Sequence, residues 1–148
     1  MGLVHSAPPV LALAVARRPA PILVLEADVA VAALVQVVLA EAGFATHCVA
    51  PWDDARVLRT LAARHPAAVL LDSRAGAGTD SVWALAQRLH AQDPVMPVVL
   101  FTTDVQVADE AAAGTSARSQ AARFAAVVRK PVDLDELVAT ISRVVALP

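Results

Sequence analysis

The chain has 148 residues, 57% of them hydrophobic and only 3% aromatic, which is enough aliphatic material for one domain with a single core. The formal net charge of −2 gives no case for a protein that holds nucleic acid by general charge attraction, and no apolar run approaches the ~20 residues of a membrane span. Cys48 is the only cysteine, which excludes an internal disulfide and favours a cytoplasmic protein.

Residues 1–20 read as a Pro/Ala-rich N-terminal extension. Its apolar stretch APPVLALAVA (7–16) has no positive charge before it and Arg17-Arg18 after it, the reverse of a signal peptide. From residue 21 to 148 a single domain is expected, in which apolar runs and helical patterns alternate five times. ILVLE (22–26) is the first strand, too short and too branched for a helix. A helix follows over 29–43, with Gly43 as its stop. FATHCVA (44–50) is a weaker strand. The next helix spans 51–65, with Pro51, Asp53 and Asp54 at its start and Arg64 and His65 at its end.

AAVLLD (67–72) is the third strand, and the glycine-rich loop SRAGAG comes after it. The helix over 81–92 is capped by Thr79 or Asp80 and puts Val82, Leu85 and Leu89 on one face. MPVVLFT (96–102) is the fourth strand. Residues 104–123 are Ala-rich, and Gly114-Thr115-Ser116 can split them into two short helices. AAVVRK (125–130) is the fifth strand. The last helix covers 132–145, with Asp133 and Glu136 spaced as a capping box. His5, His47, His65 and His90 are scattered without metal-ligand spacing. Trp52 and Trp83 fall at or near helix starts and read as packing or partly exposed residues.

Strands apolar on both faces, each followed by a helix, require a parallel sheet covered on both sides. Right-handed crossovers limit this to a doubly wound α/β sandwich of five strands. Ligands in such folds bind at the carboxyl ends of the strands. The polar residues at those ends are Glu26 and Asp28, Asp72, Thr102 and Thr103, and Lys130. Lys130 is the only lysine among twelve basic residues. It offers a compact charge on a long stem, suited to a phosphate or a carboxylate. No glycine-rich phosphate loop follows the first strand, which counts against a nucleotide-binding protein.

ILVLEAD, the VLLD ending at Asp72, the VVLFT ending at Thr102, and RKP at 129–131 together resemble the receiver domain of two-component response regulators. The resemblance spans roughly residues 20 to 146 and implies a CheY-like fold with strand order 2-1-3-4-5. It implies a stand-alone receiver, not an enzyme beyond self-catalysed phosphoryl transfer and autodephosphorylation. Asp72 would accept a phosphoryl group from a histidine kinase or a histidine phosphotransfer protein. Thr102 and Lys130 would bind phosphoryl oxygens. Mg²⁺ would be held by Glu26, Asp72 and the backbone carbonyl of Arg74. Output would pass through an unidentified downstream protein, without direct contact to nucleic acid or membrane.

The chain departs from that pattern in four places. Ala27 stands where the family has a second acid, which implies weak Mg²⁺ binding. Asp28 either substitutes for that acid or caps the first helix. The loop after Asp72 is atypical, and Val127 occupies the place of a switch aromatic. The interval from Thr102 to Lys130 is longer than usual. These departures keep a second reading open, a degenerate receiver that binds partners without phosphorylation. A third, a flavodoxin-like cofactor-binding protein, is disfavoured by the acidic first loop. The first helix has almost no charge beyond Glu41, so its Ala/Val outer face is either a docking or homodimer surface or inert.

Overall fold

A computed structural model describes residues 20–49, 53–74, 81–131 and 133–146. The N-terminal extension before residue 20, Pro51, Trp52, the loop from 75 to 80 with its expected caps Thr79 and Asp80, and Val132 lie outside the described residues. Five strands alternate with helices. They are β1 (Ile22–Leu25), α1 (Val29–Glu41), β2 (Thr46–Cys48), α2 (Asp54–Arg64), β3 (Ala68–Asp72), α3 (Ser81–Gln92), β4 (Val98–Thr102), α4 (Val105–Ala113), α5 (Ala117–Ala122), β5 (Ala126–Arg129) and α6 (Leu134–Val145).

All strand pairs are parallel and the sheet order is β2-β1-β3-β4-β5, as the family resemblance implied. The strands are apolar throughout because each face of the pleat meets a helical layer. Leu23, Leu25, Val69, Leu71 and Leu100 turn to one side, where Val57 and Leu61 of α2 and Val82, Leu85 and Leu89 of α3 cover them. Ile22, Val24, Leu70, Val99 and Phe101 turn to the other, against Val35 and Leu39 of α1 and Leu137, Ile141 and Val144 of α6. A one-residue slip of any central strand would exchange its two sets between the layers.

The strands are shorter than the apolar runs that announce them. β2 keeps only three residues of its expected seven. Val49 beyond it is still buried, and its N–H reaches the Val24 carbonyl at 3.2 Å. Helix starts are set by side-chain caps that meet otherwise unpaired N–H groups. Asp28, Asp53, Asp104, Ser116 and Asp133 each accept from a first-turn N–H. Asp133 accepts from Asp135 N–H at 2.8 Å, one residue short of the capping-box position at Glu136. The long interval before β5 is filled by the two short helices α4 and α5. They part at Gly114, whose φ of 66° is the left-handed conformation a glycine takes at low cost.

Candidate functional site

Parallel pairing brings the strand ends to one rim. Asp72 is the last residue of β3 and lies opposite Phe101 of β4. Thr102, next along, lies opposite Arg129 of β5. Lys130 then follows, held by its own N–H on the Thr102 carbonyl at 2.8 Å. Glu26 leaves the end of β1. Glu26, Asp72 and Thr102 are all buried.

Lys130 reaches across the rim. Its ammonium sits 2.8 Å from Glu26 Oε2 and 3.6 Å from Asp72 Oδ2. It also lies over the Phe101 ring, 4.6 Å from the centroid, so an apolar wall supports the charge. Thr102 Oγ1 accepts from Asp104 N–H at 2.8 Å and shares a hydrogen bond with the Ser73 hydroxyl. The backbone completes the cradle. Ala27 N–H donates to Asp72 Oδ2 at 3.1 Å, and Arg74 N–H donates to Asp72 Oδ1 at 3.0 Å.

The side chain of Arg74 was not among the candidates, yet it lies in the pocket. Its Nη2 donates to Glu26 Oε1 at 3.2 Å and to Asp72 Oδ2 at 3.1 Å. Its side chain is 58% exposed while both carboxylates are 1% exposed, so the guanidinium closes the pocket from the solvent side. The backbone carbonyl of Arg74, expected as a metal ligand, belongs to the same turn. Ser73 was missed as well. The available signal was position alone: a hydroxyl and a cation directly after the acid that ends a central strand.

Asp28 stands apart. It is exposed, and its Oδ1 accepts from Ala30 N–H at 2.9 Å and Val31 N–H at 3.1 Å, as the cap of α1. Of the three acids near the first loop and β3, two converge and one does not. Ala27 joins the site through its N–H rather than its side chain.

The two buried carboxylates are shifted in opposite directions. Burial pushes the Asp72 carboxyl up, but the Arg74 N–H and guanidinium, the Ala27 N–H and Lys130 outweigh it and hold it below its ordinary range. Burial also pushes Glu26 up. The bond from Lys130 and the Asp28 N–H only partly offset this, and the neighbouring Asp72 charge adds to it. Asp72 is therefore held ionised and fixed in place, the state a nucleophile needs.

No protein-family model matches the chain, and no curated protein matches it. Solved structures do. A putative response regulator from Chloroflexus aurantiacus aligns with 88% of this chain and 100% of its own, at 20% identity and a TM-score of 0.70. A CheY-like receiver domain protein from Methanospirillum hungatei aligns with 86% of this chain and 94% of its own, at 18% identity and a TM-score of 0.71. The chain has the receiver fold. NtrX from Brucella abortus is similar over 86% of this chain, at 23% identity and a TM-score of 0.69. The chain spans only 26% of the length of NtrX.

Receiver folds imply Mg²⁺, and the pocket's oxygens can be tested against it. Glu26 Oε1 holds Asp28 N–H and Arg74, and Oε2 holds Lys130. Asp72 Oδ1 holds Arg74 N–H, and Oδ2 holds Ala27 N–H and Arg74 Nη2. All four carboxylate oxygens are engaged, three of them by a guanidinium that lies between the acids. Among the described residues no group of three or more His, Cys, Asp or Glu is placed to hold a metal ion. As arranged, the receiver pocket does not fit a divalent cation.

Proposed function

We propose that the chain is a signalling receiver whose Asp72 accepts a phosphoryl group, and that the modified protein acts by contact with a partner protein. The observation that carries this is the setting of Asp72. It is a buried carboxylate at the end of the central strand, ionised and oriented by two backbone N–H groups. An ammonium stands on one side of it, and the Ser73 and Thr102 hydroxyls lie along the rim. Those groups suit an incoming phosphoryl group, whose oxygens need cations and donors. The donor would be a phosphohistidine on a histidine kinase or phosphotransfer protein. An Asp72 oxygen bonds to phosphorus and the phosphorus–nitrogen bond breaks. The electron pair leaves with the imidazole nitrogen, which regains a proton. Among the described residues no helix is long and apolar enough to cross a membrane, and a cytoplasmic location goes with this reading.

One observation favours a second reading, a receiver fold used for binding alone. Arg74 covers Asp72 and must move before anything can reach it. Intact-mass measurement after incubation with acetyl phosphate separates the two. The phosphoacceptor reading expects one phosphoryl adduct in the wild type and none in Asp72→Ala. An adduct that persists in Asp72→Ala would remove Asp72 from the role. No adduct from acetyl phosphate or from phosphohistidine donors would leave the binding module as the function.

A further inference from the structure

The pocket balances its charge without an added ion. Two buried carboxylates, Glu26 and Asp72, face two cations, Lys130 and Arg74. Lys130 is a deep partner, its side chain 9% exposed, and it takes one oxygen of Glu26 outright. Arg74 does something different. A single nitrogen, Nη2, bridges the two acids at 3.2 and 3.1 Å, and Nε approaches Asp72 Oδ1 at 3.5 Å. The main chain of the same residue is fixed to Asp72 by its N–H, so the guanidinium starts from an anchored base. A bridge between two carboxylates is what a divalent ion provides in an acidic pocket, and Mg²⁺ gives up its own waters reluctantly. It would have to displace a guanidinium whose planar fork already matches carboxylate geometry.

We propose that the Arg74 guanidinium is the built-in cation of this pocket, standing between Glu26 and Asp72, so that the pocket binds Mg²⁺ weakly and does not require it. The exposure of Arg74 gives it a second use. Its side chain is 58% exposed, so it meets the solvent from which a phosphoryl group arrives, and a guanidinium pairs with phosphoryl oxygens as readily as with carboxylate. When a phosphoryl group is on Asp72, Arg74 moves from Glu26 to the phosphoryl oxygens and joins Lys130, whose ammonium already lies 3.6 Å from Asp72 Oδ2. The cation role rests on the pocket geometry. Only the phosphoryl contact rests on the phosphoacceptor reading.

The test is calorimetric titration of the full chain with MgCl₂, for the wild type, Arg74→Lys and Arg74→Ala. Arg74→Ala is expected to bind Mg²⁺ about tenfold or more tightly than the wild type, because releasing a charged hydrogen-bonded partner frees two acids. Arg74→Lys should fall between them. Equal affinity in the wild type and Arg74→Ala would overturn the proposal. A wild-type thermal midpoint, measured with MgCl₂ against EDTA, should be unmoved by Mg²⁺. A clear rise would overturn the proposal without recourse to a variant. Neither readout needs phosphorylation. If both hold while no phosphodonor modifies Asp72, the phosphoacceptor reading fails and the cation role stands.

Discussion

Glu26 and Asp72 are buried to the same degree and share the same two cations, yet burial prevails at one and not at the other. The difference is in the backbone. Asp72 collects N–H groups from Ala27 and Arg74 in addition to the guanidinium. Glu26 has one N–H, from Asp28, and depends on side chains for the rest. The consequence for stability has opposite signs. Asp72 has a folded-state pKa below its ordinary 3.8, so its contribution is present above that value and is lost as pH falls through the depressed one. Glu26 has a folded-state pKa above its ordinary 4.5, so its contribution is present below 4.5 and is lost as pH rises through the raised one. In Glu26→Gln the decline on the rising side should disappear, while the acid-side loss that belongs to Asp72 remains. Urea denaturation of the wild type and Glu26→Gln, from pH 3 to pH 7 (a window of roughly that width covers both ordinary values), reads this directly. Parallel stability curves for the two proteins above pH 4.5 would show that Glu26 is not the group responsible.

At the scale of the elements, the caps decide which acids belong to the pocket. Asp28 is spent on the first turn of α1. Asp28→Ala should cost about 1 kcal/mol of stability, and Asp28→Asn only a few tenths, because asparagine caps as well as aspartate. Neither change should alter phosphoryl adduct formation at Asp72. Equilibrium denaturation and the adduct assay measure the two effects separately. An Asp28→Asn protein that kept its stability but lost the adduct would return Asp28 to the site. Much of this scale was legible beforehand. Gly114 broke the Ala-rich stretch where φ is positive, and the α3 face of Val82, Leu85 and Leu89 is buried as its spacing required. Thr102, Asp72 and Lys130 were visible because the apolar strand runs end at them, on the rim where ligands bind in such folds. Arg74 and Ser73 were not, because a turn has no period and nothing in sequence says which way a long side chain folds back. The link between α4 and α5 was hidden for the same reason. There Glu110 bonds Arg118 at 2.6 Å and the Ser116 hydroxyl at 2.7 Å, and Arg118 first, then Ser116, hold its carboxyl down to about 2. Arg118 also lies 4.8 Å from the Trp83 ring centroid, which ties this corner to the core.

At the scale of the whole molecule, the two cores are not separate, because the same strands build both. β3 gives Val69 and Leu71 to one side and Ala68 and Leu70 to the other. Stripping the helices from one face would leave half of each central strand bare and would loosen the rim where Glu26, Asp72 and Lys130 meet. A chain of this size built in this way should unfold as a single unit. Ile141 on α6 and Trp83 on α3 lie on opposite faces, and both are buried. Ile141→Ala should cost about 2–5 kcal/mol. In a Trp52→Phe background, so that fluorescence reports Trp83 alone, the loss should shift the fluorescence and circular-dichroism transitions together and by the same amount. Trp83 has no contact with the mutated site, so a common shift can reach it only through the shared sheet. A Trp83 transition that stays in place while the dichroism moves would mean that the α2–α3 layer holds the sheet on its own. The pocket would then depend on that layer for its stability and not on α1 and α6.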